Sequence, residues 1–167
     1  MRKPNESLFD PEELDSASGN SFRLIFQKLP SVTFHLKEVN LPGISISSIN
    51  NPTPGLDWNL PGSTITFDSL ELSFIVDEKY ENWKEIYNWI MELYNPDTGR
   101  STGDLQNQLM EAQLYIKSNR NNSIRVVKFH NIFPTTISSI DFSTESVGEP
   151  LIASVSLSYT TYNMEAV

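Results

Sequence analysis

Residues 70–94 constrain the fold of this chain more than any other segment, because a strand pattern there runs directly into a helix pattern. In the first part, apolar side chains alternate with polar ones at Leu70, Leu72, Phe74 and Val76. This alternation predicts a strand with one buried face. Asp77 follows at the position of a helix N-cap, where a carboxylate accepts hydrogen bonds from free backbone N–H groups.

From Tyr80 onward the apolar residues follow the helical period, and Asn95-Pro96 ends the pattern. The predicted apolar stripe consists of Trp83, Ile86, Tyr87, Ile90, Leu93 and Tyr94, with Trp89 at its border. Burying a large apolar side chain contributes roughly 1.5–3 kcal/mol, so we expect this stripe to pack on a sheet. The segment therefore predicts one helix held against β-structure.

Most of the remaining chain has strand patterns. These are predicted at 22–28 and 32–39 as a hairpin, at 44–49, at 63–67, at 112–118 and 123–129 around an Asn-rich turn, at 135–142 and at 150–163. The fold class expected is mainly β (α+β), an antiparallel β-barrel or sandwich with one flanking helix. The 167 residues suit a single domain, predicted at 21–167 after an N-terminal arm at 1–20.

Two segments are candidates for contacts with a partner. The acidic arm is either a solvated tail or a segment that orders on a neighbouring subunit, anchored by Leu8 and Phe9. Residues 50–62 contain three prolines and two glycines, which predicts that no regular element runs through them. The segment also contains Leu56, Trp58 and Leu60, which are expected to pack on the chain's own core or on a partner.

The last long strand pattern has two chemically different faces. One face is apolar, at Leu151, Ala153, Val155, Leu157 and Tyr159. The opposite face carries hydroxyls and no charge, at Ser154, Ser156, Ser158 and Thr160, together with Ile152. A row of small hydroxyls is unusual on an open surface and would suit the interior of a wide, wet barrel.

Composition excludes several classes of function. The formal net charge of −9 repels nucleic-acid phosphates, so a sequence-reading DNA-binding protein is not expected. The chain has no cysteine, which excludes disulfides and thiolate chemistry. No stretch approaches the roughly 20 apolar residues of a membrane span. The N-terminus lacks the apolar region of a signal peptide, so none is expected.

Motifs for catalysis or metal binding are weak. His35 and His130 are the two histidines, and both are interpreted as structural or solvated. Asp97-Thr98-Gly99 matches an aspartic-protease triplet, but no second copy supplies the facing carboxylate that such an enzyme needs. The acidic run at 10–15 lacks the glycine and the spacing of a calcium loop. We therefore predict no enzyme, no cofactor and no metal site.

The order of these elements resembles the tube proteins of contractile phage tails, the T4-like tail tube family, which includes the tube-like domains of baseplate tube initiators. The resemblance covers about residues 20–163. The segments that carry it are Phe22–Phe26 with Val32–Leu36, Leu41-Pro42-Gly43, Thr66–Phe74 with the helix around Trp83–Trp89, Phe133-Pro134-Thr135 and Val155–Tyr162.

The resemblance implies a structural subunit of a virion. Six copies would form a ring with a continuous inner β-barrel, and rings would stack into a tube through which DNA passes without specific binding. The hydroxyl residues Ser154, Ser156, Ser158 and Thr160 would line the lumen, and the arm and residues 50–62 would contact neighbouring rings. The implied partners are the sheath, tape-measure, baseplate and terminator proteins, with assembly in the host cytoplasm and no membrane.

Two alternatives to a tube subunit stay open. One is a baseplate tube initiator or hub ring of the same fold, which would stop at a single ring where a tube subunit polymerises. The other is a monomeric β-barrel or sandwich that binds a small ligand or peptide in a pocket lined by Trp58, Trp83 and Tyr87.

Overall fold

Antiparallel strands dominate the architecture, which a computed structural model describes for residues 19, 21–53, 56–96, 100–101, 108–118, 120–143 and 148–166. Within these ranges the chain forms two helices, α1 (Pro30–Phe34) and α2 (Glu81–Leu93). The strands are β1 (Phe22–Phe26), β2 (Leu36–Val39), β3 (Ile44–Thr53), β4 (Leu56–Phe67), β5 (Leu70–Ile75), β6 (Tyr94–Asn95), β7 (Arg100–Ser101), β8 (Met110–Lys117), β9 (Ser123–Ile137), β10 (Ile152–Ser158) and β11 (Thr161–Ala166).

The main sheet is organised around β9. Its strands are hydrogen-bonded in the order β1-β8-β9-β10-β5-β2, and β11 also pairs with β9. The first part of β9 lies between β8 and β11, so that Phe129 is opposite Ala112 on one side and Tyr162 on the other. Its last part pairs with β10, where Phe133 is opposite Ser158. The predicted mainly β, antiparallel class with a flanking helix is confirmed, but the sheet is not closed into a barrel.

The hydrophobic core joins one face of each part of the sheet to the two helices. Phe74 on β5 and Phe129 on β9 are fully buried in it, together with Ile86 of α2 and Val32 of α1. The apolar face predicted for the last segment also lies here, since Ala153, Val155, Leu157 and Tyr159 are all buried. Burial of this face fixes which side of β10 turns outward, because successive strand residues point to opposite faces.

The segment predicted as a strand at 32–39 is instead a short helix followed by a strand. Pro30 occupies the first helical turn, where its missing N–H costs nothing. The Thr33 hydroxyl donates to the Leu29 carbonyl at 3.0 Å within the same turn. Val32 is buried as the alternation predicted, but one helical turn is too short for hydrophobic periodicity to distinguish it from a strand.

Helix α2 is present where it was predicted, although its buried stripe is rotated relative to the prediction. Trp89, placed at the border, is 4% exposed and belongs to the core, and its Nε1 donates to the Gln108 carbonyl at 2.9 Å. Tyr87 and Tyr94, predicted within the stripe, are 40% and 53% exposed. The indole reaches a carbonyl in the segment that follows the helix, and this partner allows it to be buried.

The start of α2 depends on Asn82 rather than on Asp77 as N-cap. The helix begins at Glu81 after Tyr80, which has a left-handed backbone and no side-chain cap. Asn82 is fully buried; its amide donates to the Ile75 carbonyl and its Oδ1 accepts from the Trp83 N–H, each at 2.8 Å. The Asp77 carboxylate still accepts a hydrogen bond, from the N–H of Asn82 at 3.3 Å, which is the second residue of the helix. The acceptor role predicted for Asp77 is therefore present, although Asp77 is not the N-cap.

The chain after residue 123 differs from the predicted strands in two places. The strand predicted at 135–142 is the continuation of β9, which runs unbroken to Ile137. The long final strand is divided into β10 and β11 around Tyr159 and Thr160, where the chain passes from one part of the sheet to the other.

Residues 50–62 do form regular structure, contrary to the prediction. Strands β3 and β4 pair across this segment as a separate two-stranded sheet, with Pro52 opposite Asp57 and Pro61 opposite Ser48. Proline is tolerated at these positions because each strand of an isolated hairpin has a free edge that needs no N–H donor. Residues 54–55 lie outside the described residues.

The buried amide of Asn82 leads to a stability prediction. Asn82→Ala removes the partners of the Ile75 carbonyl and the Trp83 N–H, so the free energy of unfolding should fall by about 2–3 kcal/mol. Urea unfolding of the full chain measures this change. Asn88→Ala is the matched control, because Asn88 is exposed on the same helix and should change stability by less than about 0.5 kcal/mol. Equal stability of the two variants would contradict this role of Asn82.

Candidate assembly surfaces

The described residues contain no cluster of histidine and acidic side chains that could hold a metal ion. His35 Nδ1 lies 3.0 Å from the Ser31 carbonyl, and His130 Nδ1 lies 3.4 Å from a carboxylate oxygen of Glu111. Both histidines therefore have local contacts within the chain. Residues 97–99 and the acidic run at 10–15 lie outside the described residues.

One candidate surface is the outer side of β10, β5 and β2, which we call the hydroxyl face. The antiparallel register places Ser154 opposite Ser73, and Ser73 opposite Glu38. It also places Ser156 opposite Glu71. Because paired residues share a face, these side chains form one surface of hydroxyls and carboxylates on the side of the sheet away from the core.

The hydroxyl face is hydrogen-bonded at both of its sides. The Ser73 hydroxyl donates to Glu38 at 3.5 Å, which links β5 to the edge strand β2. On the other side, the Thr135 hydroxyl donates to the Ser156 carbonyl at 2.9 Å. An open groove of about 390 Å³ runs along the face, lined by Glu38, Val39, Asn40, Glu71, Leu72, Ser73 and Ser154. Its lining supplies hydrogen-bond acceptors and negative charge.

Three of the four predicted lumen residues lie together on this face. Ser154 is exposed and Ser156 and Ser158 are half-buried, all on the outward side of β10. Thr160 is exposed as well, but it follows the end of β10 and its hydroxyl accepts from the Asn131 amide at 3.3 Å. The structure therefore brings the three serines together and places Thr160 at the corner between β10 and β11.

The second candidate surface is the β3–β4 hairpin. Its strands form no sheet with another strand in the described part of the chain. Six large apolar side chains on it are roughly half exposed or more: Ile44, Ile46, Ile49, Trp58, Leu60 and Ile65. An isolated two-stranded hairpin is marginally stable in water, and this many exposed large apolar side chains are typical of a protein contact.

Cross-strand register sorts the hairpin side chains into faces. Ile49 is opposite Leu60, and the next pair on that face is Asn51 with Trp58. We call Ile49, Trp58 and Leu60 the apolar tip. Asn50 and Asn59 form the pair between them and point to the opposite side of the hairpin.

The predicted contact residues are only partly described. Trp58 and Leu60 are exposed and do not pack in the chain's own core, so their contact with a partner stays a prediction. Leu56 is part of β4, but its side chain is outside the described set, as are Leu8 and Phe9. Sequence reasoning missed Ile44, Ile46, Ile49 and Ile65, although the alternation of Ile44 and Ile46 around serines was visible.

The pocket predicted for a monomeric ligand-binding protein does not coincide with the groove on the hydroxyl face. Trp83 and Tyr87 stack on α2 with ring centroids 5.6 Å apart, and Trp58 projects from the hairpin. None of the three lines the groove on the hydroxyl face.

Within the described part of the chain, no helix combines the length and the apolar character needed to cross a bilayer.

Two tyrosines contact the base of the hairpin. The Tyr159 hydroxyl donates to the Asp68 carbonyl at 2.8 Å, and the Tyr162 hydroxyl donates to the Pro42 carbonyl at 3.0 Å. Burial raises the pKa of Tyr159 to about 12, with further contributions from Tyr162 and Asp68. The hydroxyl of Tyr159 therefore stays protonated, and able to donate, well above neutral pH.

A family model described as "Phage tail tube protein" matches residues 14–165. The tail tube terminator protein of Enterobacteria phage T4 is 25% identical over 137 residues, which are 80% of this chain and 78% of that protein. The tube-terminating cap of the anti-feeding prophage has a similar fold, with a TM-score of 0.67, 14% identity, and coverage of 95% of this chain and 96% of that one. The sheath–tube complex of an extracellular contractile injection system (PVC) contains a chain with a TM-score of 0.65 and 15% identity, covering 91% and 93%.

The raised pKa of Tyr159 predicts a loss of stability in alkali. An unfolded tyrosine titrates near 10 and the folded one near 12, so its stabilisation is complete below pH 10 and is lost as pH rises toward 12. The wild-type chain should lose about 2 kcal/mol more than Tyr159→Phe between these values. Denaturant unfolding at each pH measures the difference, and parallel curves for the two proteins would contradict the prediction.

Proposed function

Because this chain belongs to the phage tail tube protein family, whose members are structural proteins rather than enzymes, we propose that it forms a hexameric ring that stacks on a contractile tail tube. The observation that carries the proposal is the hydroxyl face. It covers one side of an open sheet whose other side is the core, and the edge strand β2 borders it. Joining such edges between copies makes a continuous wall and removes exposed strand edges.

The chemistry of the hydroxyl face suits a channel for DNA. Ser154, Ser156 and Ser158 are neutral, and the charged groups beside them, Glu38 and Glu71, are carboxylates. Phosphates gain no ion pairs on such a wall, so DNA would slide along it without adhering. The net charge of −9 per chain acts in the same direction, within a Debye length of about 8–10 Å.

Contacts between copies would use the apolar tip of the hairpin and the N-terminal arm. Ile49, Trp58 and Leu60 are already held on one face of a two-stranded sheet, so docking them on a neighbouring copy orders little additional backbone. Residues 1–20, with Leu8 and Phe9 as anchors, would add a second contact beyond the domain at 21–167.

We assign the ring to the end of the tube, as a terminator. The relative with balanced coverage of both sequences is a tail tube terminator, and one structure of similar fold is a tube-terminating cap. The chain and the T4 terminator are similar in length, since the matched 137 residues are 80% of this chain and 78% of that protein. The repeating tube subunit is the second candidate, favoured by the description of the family model.

In this assignment the chain is a component of the virion. Its neighbours would be the last tube ring below it and the sheath, with tape-measure protein and DNA passing through its channel. Assembly would take place in the host cytoplasm before the tail is complete.

Electron microscopy of the purified chain tests the proposal. We expect single six-fold rings, which add to one end of purified tail tubes from the same phage when the two are mixed. In a cryo-EM map of the ring, Ser154, Ser156 and Ser158 should face the axis. Long tubes formed by the chain alone would favour the repeating subunit, rings at the baseplate end would favour an initiator, and a hydroxyl face on the outside would overturn the channel assignment.

The apolar tip provides a sharper prediction. Replacing Ile49, Trp58 and Leu60 with serine should abolish ring formation and shift the melting temperature by only a few degrees, because all three are exposed in the single chain. Analytical ultracentrifugation and thermal unfolding measure the two effects. The matched control is Asn50→Ser with Asn59→Ser, on the opposite face of the same hairpin, which should still assemble. Rings from the triple variant would show that the tip is not a contact.

A further inference from the structure

The direction of the β3–β4 hairpin is set at a narrow base. The chain leaves the main sheet through Pro42-Gly43 and returns through Asp68, and the Asp68 N–H donates to the Gly43 carbonyl at 3.1 Å. Beyond this point the hairpin strands form no ladder with the main sheet within the described residues. Groups that hold the base therefore decide where the apolar tip points.

Gly43 leaves room for the Asp68 carboxylate beside the backbone at this base. A Cβ at Gly43 would lie 2.6 Å from an Asp68 carboxylate oxygen, closer than van der Waals contact allows. Asn40, which precedes Gly43 on the leaving strand, adds two bonds to the returning strand. Its amide donates to the Ser69 carbonyl at 3.2 Å, and its Oδ1 accepts from the Glu71 N–H at 2.6 Å. Both strands of the base are thus held close together.

The two tyrosine hydroxyls connect this base to the core. Tyr159 donates to Asp68 on the returning strand, and Tyr162 donates to Pro42 on the leaving strand. Both rings pack in one aromatic cluster with Phe67, the last residue of β4, and Phe129 of β9, with centroid distances of 5.2–6.0 Å. Each strand of the base is therefore bonded separately to a side chain whose ring is fixed by packing.

We propose that Tyr159 and Tyr162 are positioning residues that fix the direction of the hairpin and so aim its apolar tip at the neighbouring copy. One bond to each strand resists rotation of the base in a way that a single bond does not. The use made of the hairpin rests on the function proposed above, whereas its fixed direction is a property of the single chain.

The chemistry of the two tyrosine hydrogen bonds supports this role. Tyr159 donates to the Asp68 carbonyl, and burial raises its pKa to about 12. Asp68 on the base and the neighbouring Tyr162 also raise the pKa of Tyr159. A hydrogen bond from a tyrosine hydroxyl to a backbone carbonyl involves no ion pair that salt could screen, which suits a fixed joint.

Removing the hydroxyls while keeping the rings tests the proposal in the full chain. Because the chain has no cysteine, Asn59→Cys on the hairpin and Arg120→Cys on the exposed β8–β9 turn provide two unique sites for spin labels. Double electron–electron resonance then measures the distribution of distances between the two labels, one on the hairpin and one on the body of the monomer. Labelled chains are diluted in unlabelled ones, so that only distances within one chain are detected. The test variant is Tyr159→Phe with Tyr162→Phe.

Tyr115→Phe is the matched control, since the Tyr115 hydroxyl donates to Gln113 on β8 at 2.9 Å and does not contact the hairpin. We expect the width of the distance distribution to at least double in the test variant and to stay at the wild-type value in the control. A wild-type width in the test variant would overturn the proposal. If the double variant fails to fold by near-ultraviolet circular dichroism, the single variants are compared in the same way.

Ring assembly is measured separately in the same variants. A broadened distance distribution with reduced assembly supports both the positioning role of the two tyrosines and the use of the hairpin as a contact. A broadened distance distribution with unchanged assembly supports the positioning role of the two tyrosines and contradicts the hairpin contact of the proposed function.

Discussion

The structure depends on the change of partner along β9. Its first part pairs with β8 and β11, and its last part pairs with β10, so one strand carries both parts of the sheet. Asn131 lies at this change with a φ of 55°, a left-handed backbone that asparagine tolerates better than most residues. β10 and β11 pair with successive parts of β9, with Ser158 opposite Phe133 and Thr161 opposite His130, and they separate at this place.

That separation is held by hydrogen bonds across the corner. The Thr160 N–H donates to the His130 carbonyl at 3.0 Å, and the Asn131 amide donates to the Thr160 hydroxyl at 3.3 Å. The corner also places Tyr159 and Tyr162 on either side of it, next to Phe129. The same feature that joins the two parts of the sheet therefore supplies the aromatic cluster at the base of the hairpin. The corner thus contributes to the core and to the base of the hairpin.

The two proposed assembly surfaces were predictable to different degrees. The hydroxyl face could be read from one strand, because burial of Ala153, Val155 and Leu157 forces the intervening serines outward. Its continuation onto Ser73 and Glu38 could not, since it depends on the pairing of β10 with β5 and of β5 with β2. The hairpin was missed because prolines and glycines indicate loops, while an unpaired edge tolerates them.

The sequence by itself determined the local elements: the strand and helix at 70–94, the alternating final segment, and the absence of recognisable catalytic motifs. Tertiary structure alone decided that Trp89 rather than Tyr87 is buried, and that Tyr159 and Tyr162 bond to carbonyls 91 and 120 residues away along the chain. The physical reason is that periodicity reports which side of an element avoids water. It carries no information about which distant backbone group a buried hydroxyl will meet.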